Sequence, residues 1–205
     1  MTPAVTPPPM PARVRVPSGP PRDLKWTVEM FHFLGDLGMF EGRRAWPVDG
    51  VIVEEGPTNP PHASAATKTE DAIRDVVWKA HHVRVAQPLV PGLSTDPEPG
   101  VAVVTGKAGD STAHPTTAAL VVEVSDSSLK YDTTTKLGVY AAGGIAEYWV
   151  LDVTGRQLLV FRDPQPDAAH PHGHSHATRL AFGPAGAVAP LAAAAGPVRA
   201  ADLLP

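Results

Sequence analysis

Apolar residues return at helical spacing in TVEMFHFLGDLGMF, where Val28, Phe31, Leu34 and Leu37 fall on one side. Thr27 is a plausible N-cap and Gly38 a stop, so the pattern predicts a helix from Val28 to Leu37. The period then shortens: in AWPVDGVIVEEG, Val51 and Val53 alternate with Ile52 and Glu54 beyond an Asp49-Gly50 turn. That pattern predicts a short hairpin. A second helix is expected from His62 to Lys79, with Ala66, Ile73, Val76 and Val77 facing inward. Strands follow in HVRVAQPLV and VAVVTG, and ALVVEVS is the most buried-looking of all. YDTTTKLGVYAAGG reads as a helix capped by Asp132 or a following threonine and closed by Gly143-Gly144. EYWVLD and LLVFRD are two strands joined through Thr154-Gly155, and TRLAF and AVAPL are two weaker ones. The order of elements predicts a mixed sheet with helices beside it, an α/β or α+β domain.

Composition narrows the function classes. The 205 residues suffice for one well-buried domain plus a tail. Many of the 24 prolines crowd the first residues, MTPAVTPPPMPARVRVPSGPP, where no apolar period exists. Residues 1–22 are therefore expected to form a disordered proline-rich arm, and residues 23–205 the folded domain. The arm lacks the apolar core of a secretory signal, and no apolar run is long enough to span a bilayer, so no membrane partner is expected. The absence of cysteine excludes disulfides, thiolate metal sites and thiol catalysis, which makes the cytoplasm the expected compartment. A net charge of -4 argues against strong nonspecific binding of nucleic acid, although a local basic cleft is compatible with it.

Two residues carry the candidate chemistry. Glu123 interrupts the apolar run Leu120, Val121, Val122, Val124. A buried carboxylate there is costly unless it is paired, hydrogen-bonded or bound to metal. The competing reading is a glutamate on a half-exposed sheet face. Lys136 falls in the first turn of the following helix, where the macrodipole disfavours a cation, so a compensating anion is expected nearby. Such a pair can hold Mg²⁺ and orient a water beside a phosphate. A solvated surface lysine is the alternative. His170, His172, His174 and His176 alternate in HPHGHSH, either as a metal clamp or as solvated imidazoles in a mobile loop. The mobile loop is the expectation.

The stretch LVVEVSDSSLKYDTTTKLGVYAAGGIAEYWVLD resembles the signature block of the Uma-two family of restriction endonucleases: an EVSDSSL element, a YD pair, a lysine, a tyrosine, then G-I-x-E-Y-W. TVEMFHFLGDLGMF, VDGVIVEEGPTNPPHA and the terminal ADLLP extend the similarity outward, so that it covers about Trp26 to Pro205. The resemblance implies a PD-(D/E)XK, restriction-endonuclease-like fold with a mixed central sheet flanked by helices. It also implies Mg²⁺-dependent hydrolysis of DNA phosphodiester bonds, with DNA as partner and a homodimer as one arrangement. The family's glutamate falls on Glu123, as catalytic residue and metal ligand, and its lysine on Lys136, displaced from the usual strand position, which is Ser125 here. Asp132 and His62 match further family positions, His62 with a capping or packing role as open as a catalytic one.

Two departures weaken that inheritance. The family reads E-P-D before the strand that begins here at Val101, and its aspartate is the second metal ligand. This chain reads Glu98-Pro99-Gly100. A second family glutamate is replaced by Trp46. Asp96 and Glu98 are the carboxylates nearest the loss, each followed by a proline in a stiff loop. The expectation is an endonuclease with an impaired site. The rival is a catalytically degenerate nuclease fold kept as a binding or interaction module, with Trp46 filling the former cleft.

Overall fold

A computed structural model describes residues 19–110 and 112–205. Most of the expected proline-rich arm, residues 1–18, lies outside the described residues. The chain opens with helix α1 (Val28–Asp36), capped by Thr27, whose hydroxyl accepts from the Met30 N–H at 3.1 Å. A hairpin of β1 (Arg44–Val48) and β2 (Val51–Glu55) follows. Its turn needs left-handed backbone at both Asp49 and Gly50, φ 48° and 74°, which is what an Asp-Gly pair supplies.

Helix α2 (Pro60–Val76) starts two residues earlier and ends three sooner than the periodicity suggests. Asn59 caps it, and the prolines in its first turn lose no intrahelical bond. The main sheet has the order β3-β4-β5-β6-β7-β8, built from His81–Val85, Val101–Thr105, Leu120–Ser125, Glu147–Asp152, Gln157–Pro166 and His174–Phe182. Its neighbours are antiparallel except β5 and β6, which run parallel. That pair needs a crossover, supplied by α3 (Leu129–Tyr131), a π-helical turn (Asp132–Lys136) and α4 (Leu137–Ala142). A short ladder of β9 (Ala187–Val188) and β10 (Val198–Arg199) and helix α5 (Ala200–Leu203) close the chain. This mixed α/β architecture, with a six-stranded sheet between helices, is the one expected from the order of elements.

Both faces of the sheet are covered. Val122, Val124, Trp149 and Leu151 pack in one core with Ala65 and Ile73 of α2. Val121, Tyr148 and Val150 pack in a second core with Leu137 and Tyr140 of the crossover. This double cover explains why LVVEVS and EYWVLD show no polar alternation: every residue of both strands is buried.

Two local expectations fail. No side chain caps the crossover helix; Asp132 lies inside it, and its carboxylate is buried instead. The histidine tract is not a loop of solvated imidazoles throughout. His174 and His176 belong to β8, and His176 is buried, its Nε2 2.9 Å from the Ile145 carbonyl. Among the described residues, no helix is long and apolar enough to cross a membrane.

Candidate active site

Glu123 occupies the second half of β5, on the face toward the crossover. Its Oε1 accepts from the Tyr140 hydroxyl at 2.8 Å and lies 3.0 Å from the Lys136 ammonium. Lys136 Nζ is also 3.4 Å from Asp132 Oδ1. Asp132 Oδ2 accepts from the hydroxyls of Ser125 and Ser128, and the Asp132 carbonyl from the Tyr148 hydroxyl at 3.0 Å. Glu123, Asp132 and Lys136 are each at most 6% exposed.

The π-helical turn brings these groups together. Asp132, Lys136 and Tyr140 are spaced four apart, a spacing that drifts around a regular helix of 3.6 residues per turn. A wider turn slows that drift, so all three reach the same strand. Lys136 thus stands two turns into the crossover rather than in a first turn. The compensation expected from Glu123 is present, but for a different reason: burial, rather than the helix dipole, demands the anion.

Charge in this cluster is unbalanced. One ammonium serves two carboxylates. Burial works against the Lys136 cation, yet Glu123 and Asp132 together outweigh it and hold its pKa above the ordinary lysine value. Burial pushes Glu123 up, with Asp132 adding to the rise and Lys136 opposing it. Burial also pushes the Tyr140 and Tyr148 hydroxyls well above the ordinary range, which keeps them protonated as donors.

The cluster opens on a cavity of about 110 Å³ whose walls include Arg44, Glu55, His62, Glu98, Gly100, Glu123, Asp132 and Lys136. Continuing the β4–β5 register by one pair beyond Val101 and Val122 sets Gly100 opposite Glu123. A β-carbon at Gly100 would meet the Val122 carbonyl oxygen at 3.2 Å, so a side chain there requires that backbone to give by a few tenths of an ångström. The two residues that stand where the resemblance implies acids therefore have different fates. Gly100 borders the cavity. Trp46 does not line it; it is buried with Val48 and Val139, beneath Arg44 at 5.8 Å, so the expectation that it fills the cleft is not met. Asp96 is also elsewhere in its contacts, buried and 2.8 Å from His32 Nε2.

Of the two carboxylates noted beside the lost aspartate, Glu98 lines the cavity and Asp96 does not; Glu55 is a cavity residue that sequence reasoning did not place in the site. The hairpin turn was legible, but which side chain at its far end turns inward depends on how it docks. The Asp132, Lys136, Tyr140 spacing was the available signal for the rest.

The donor set suits a hard divalent cation. Four carboxylates and two permanent cations line the cavity. Glu123 Oε2 has no hydrogen-bond partner among the described residues, and Asp132 Oδ1 is buried with none. Oxygen donors with surplus negative charge are what Mg²⁺ and Mn²⁺ take. Among the described residues, however, no three His, Asp or Glu side chains already converge on one point.

A family model described as "Putative restriction endonuclease" matches residues 34–188. Among solved structures, the chain is similar to the crystal structure of a putative nuclease belonging to DUF820 from Anabaena variabilis. That match has a TM-score of 0.62 at 15% identity and covers 87% of this chain and 97% of the other. At that identity the likeness carries the fold alone. Among curated proteins nothing matches.

Proposed function

Because the chain belongs to the Uma2 (Uma-two) family, we propose that the cavity beside β5 is the site of a divalent-metal-dependent endonuclease acting on DNA, weakened by the loss of the carboxylate at Gly100. The observation that carries this reading is the buried Glu123–Lys136 pair, 3.0 Å apart, at the wall of a cavity opposite Gly100. A metal ion of the Mg²⁺ class would be held through Glu123, and when bound would polarise a phosphodiester oxygen and acidify a water.

This chain's own residues do the rest. Tyr140 fixes the Glu123 carboxylate through Oε1, leaving Oε2 for a cation. Asp132, held by Ser125 and Ser128, keeps Lys136 charged and in place. The ammonium then orients a water or balances charge developing on the phosphate. Arg44 is the other permanent cation of the wall. With a net charge of -4 and carboxylates at the cavity, capture of a polyanion is feeble, and binding falls with salt in proportion to the few phosphates contacted.

The second reading, a nuclease fold kept as a binding module, is favoured by Gly100, which brings no ligand. Plasmid nicking in Mg²⁺ and in Mn²⁺ separates the two. Slow nicking by the wild-type chain, lost in Glu123→Gln and raised in Gly100→Asp, is expected. Nicking equal in wild type and Glu123→Gln identifies a contaminant. No nicking even by Gly100→Asp overturns the enzyme reading in favour of the module.

A further inference from the structure

Three carboxylates share the cavity with Glu123. Glu55 is held by Arg44 at 3.1 Å. Asp132 has committed one oxygen to two serine hydroxyls. Glu98 differs from both: its carboxylate makes no hydrogen bond or ion pair among the described residues, and burial raises its pKa while Arg44 opposes the rise. Pro97 and Pro99 flank it, so its backbone is stiff and motion is confined to the side chain. It stands two residues before Gly100, on the segment leading into β4, and a glutamate reaches one methylene further than an aspartate.

A separate feature of the same cavity points to a missing cation. Asp132 is 1% exposed, and its Oδ1 has no hydrogen-bond donor although it lines this wall. Buried polar atoms are rarely left so, and an unplaced ion is one of the standard reasons. Lys136 at 3.4 Å supplies only part of the positive charge, because it also serves Glu123.

We propose that Glu98 takes the place of the carboxylate missing at Gly100 and, together with Glu123, holds a divalent ion of the Mg²⁺ or Mn²⁺ class. This rests on the metal-dependent reading of the cavity and names the residue that keeps it functional in this chain. Glu98 is free to swing because none of the described residues holds it, and Gly100 leaves the wall beside Glu123 without a side chain in its way. Asp132 Oδ1, which has only Lys136 at 3.4 Å, then gains the second positive neighbour that its burial calls for. The weak activity expected of the site follows from a ligand that must be recruited instead of one already in place.

Calorimetric titration of the full chain with Mn²⁺ tests it, using wild type, Glu98→Gln, Glu123→Gln, Gly100→Asp and the double variant Glu98→Gln/Gly100→Asp. Glu98→Gln should lower Mn²⁺ affinity by at least about tenfold, the scale on which metal sites respond to loss of a supporting group. Its metal-free melting temperature should not change, and the double variant should regain the lost affinity. Wild-type affinity in Glu98→Gln, with binding lost in Glu123→Gln, would overturn the role of Glu98 and leave the metal site standing. Binding by Gly100→Asp but not by wild type would do the same. Equal binding by wild type and Glu123→Gln, or no binding by any variant, would overturn the metal reading itself. A lower metal-free melting temperature in Glu98→Gln would mark Glu98 as structural and overturn the proposal.

Discussion

Two buried glutamates on adjacent strands do opposite things. Glu147, at the start of β6, is fully buried and saturated: Oε1 accepts from Arg162 Nε at 2.9 Å, Arg162 Nη2 at 2.6 Å and Trp149 Nε1 at 2.9 Å, and Oε2 from the Leu191 N–H at 2.6 Å. Among the described residues, Glu123 on β5 has both its partners on one oxygen and none on the other, and it faces a cavity. Glu147 ties the β6–β7 ladder to the segment before α5. Glu123 keeps one carboxylate oxygen without a donor at the wall of the cavity. Burial alone does not distinguish a structural carboxylate from a reactive one; the distribution of donors over the two oxygens does.

The largest effect should come from the same substitution made at both places. In Glu147→Gln the amide group must face a donor, because every neighbour of that carboxylate is an N–H, and Arg162 loses its counter-charge. A cost of about 3–5 kcal/mol is expected. In Glu123→Gln the amide can turn toward the oxygen position that has no partner, while Tyr140 keeps an acceptor and Lys136 keeps Asp132. There the cost should be about 1 kcal/mol. Urea unfolding measures both. Mn²⁺ affinity should show the reverse order, lost in Glu123→Gln and intact in folded Glu147→Gln. Equal stability losses would break the contrast.

A smaller effect, about 3 kcal/mol at neutral pH, is expected for Lys136→Met, which leaves Glu123 and Asp132 facing each other without a cation. The sign with pH is fixed by the shifts. Glu123 already has a raised pKa, so the folded variant binds a proton before the unfolded chain does, and stability should recover as pH falls. In the wild type the Lys136 contribution is complete below the unfolded lysine value of about 10.4. It is lost as pH rises beyond that, because the unfolded lysine releases its proton first. The variant should lack that alkaline loss. Unfolding free energies across pH for both chains give the difference, and a variant with the wild-type profile would mean that Lys136 is solvated rather than paired.

Much of this was legible in the sequence because it follows from period and from unusual placement. A doubly covered strand shows as an unbroken apolar run, so the single carboxylate in LVVEVS stood out, and a lysine one connection later was the natural partner. Glu147 did not stand out, since it sits at a strand end, where a glutamate is ordinary, and its partner Arg162 is fifteen residues away across a hairpin. The π-helical turn was illegible because it depends on a backbone hydrogen-bond shift with no side-chain signature. The positions of Trp46, Glu55 and Glu98 depend on how the hairpin and the β4 entry dock, which a period cannot encode. His176 was misjudged by composition: four alternating histidines look like a solvated tract, yet alternation with period two is also the pattern of a strand.

His176 offers the smallest test, on the side of the molecule that holds Glu147. It lies two residues from Glu147 through its bond to Ile145, and burial lowers its pKa, with Arg179 adding to the fall and the Ile145 carbonyl and Asp163 opposing it. A histidine buried neutral must charge when the chain unfolds in acid. The unfolded chain then binds more protons, so stability is full above the unfolded histidine value of about 6.5 and declines as pH falls below it. His176→Gln keeps an N–H for the Ile145 carbonyl but cannot titrate. It should therefore remove the part of the stability loss between pH 7 and pH 5 that charging of His176 causes. Melting temperatures of the two chains over that range give the measurement. Parallel profiles would mean that the His176 ring reaches water in the folded chain.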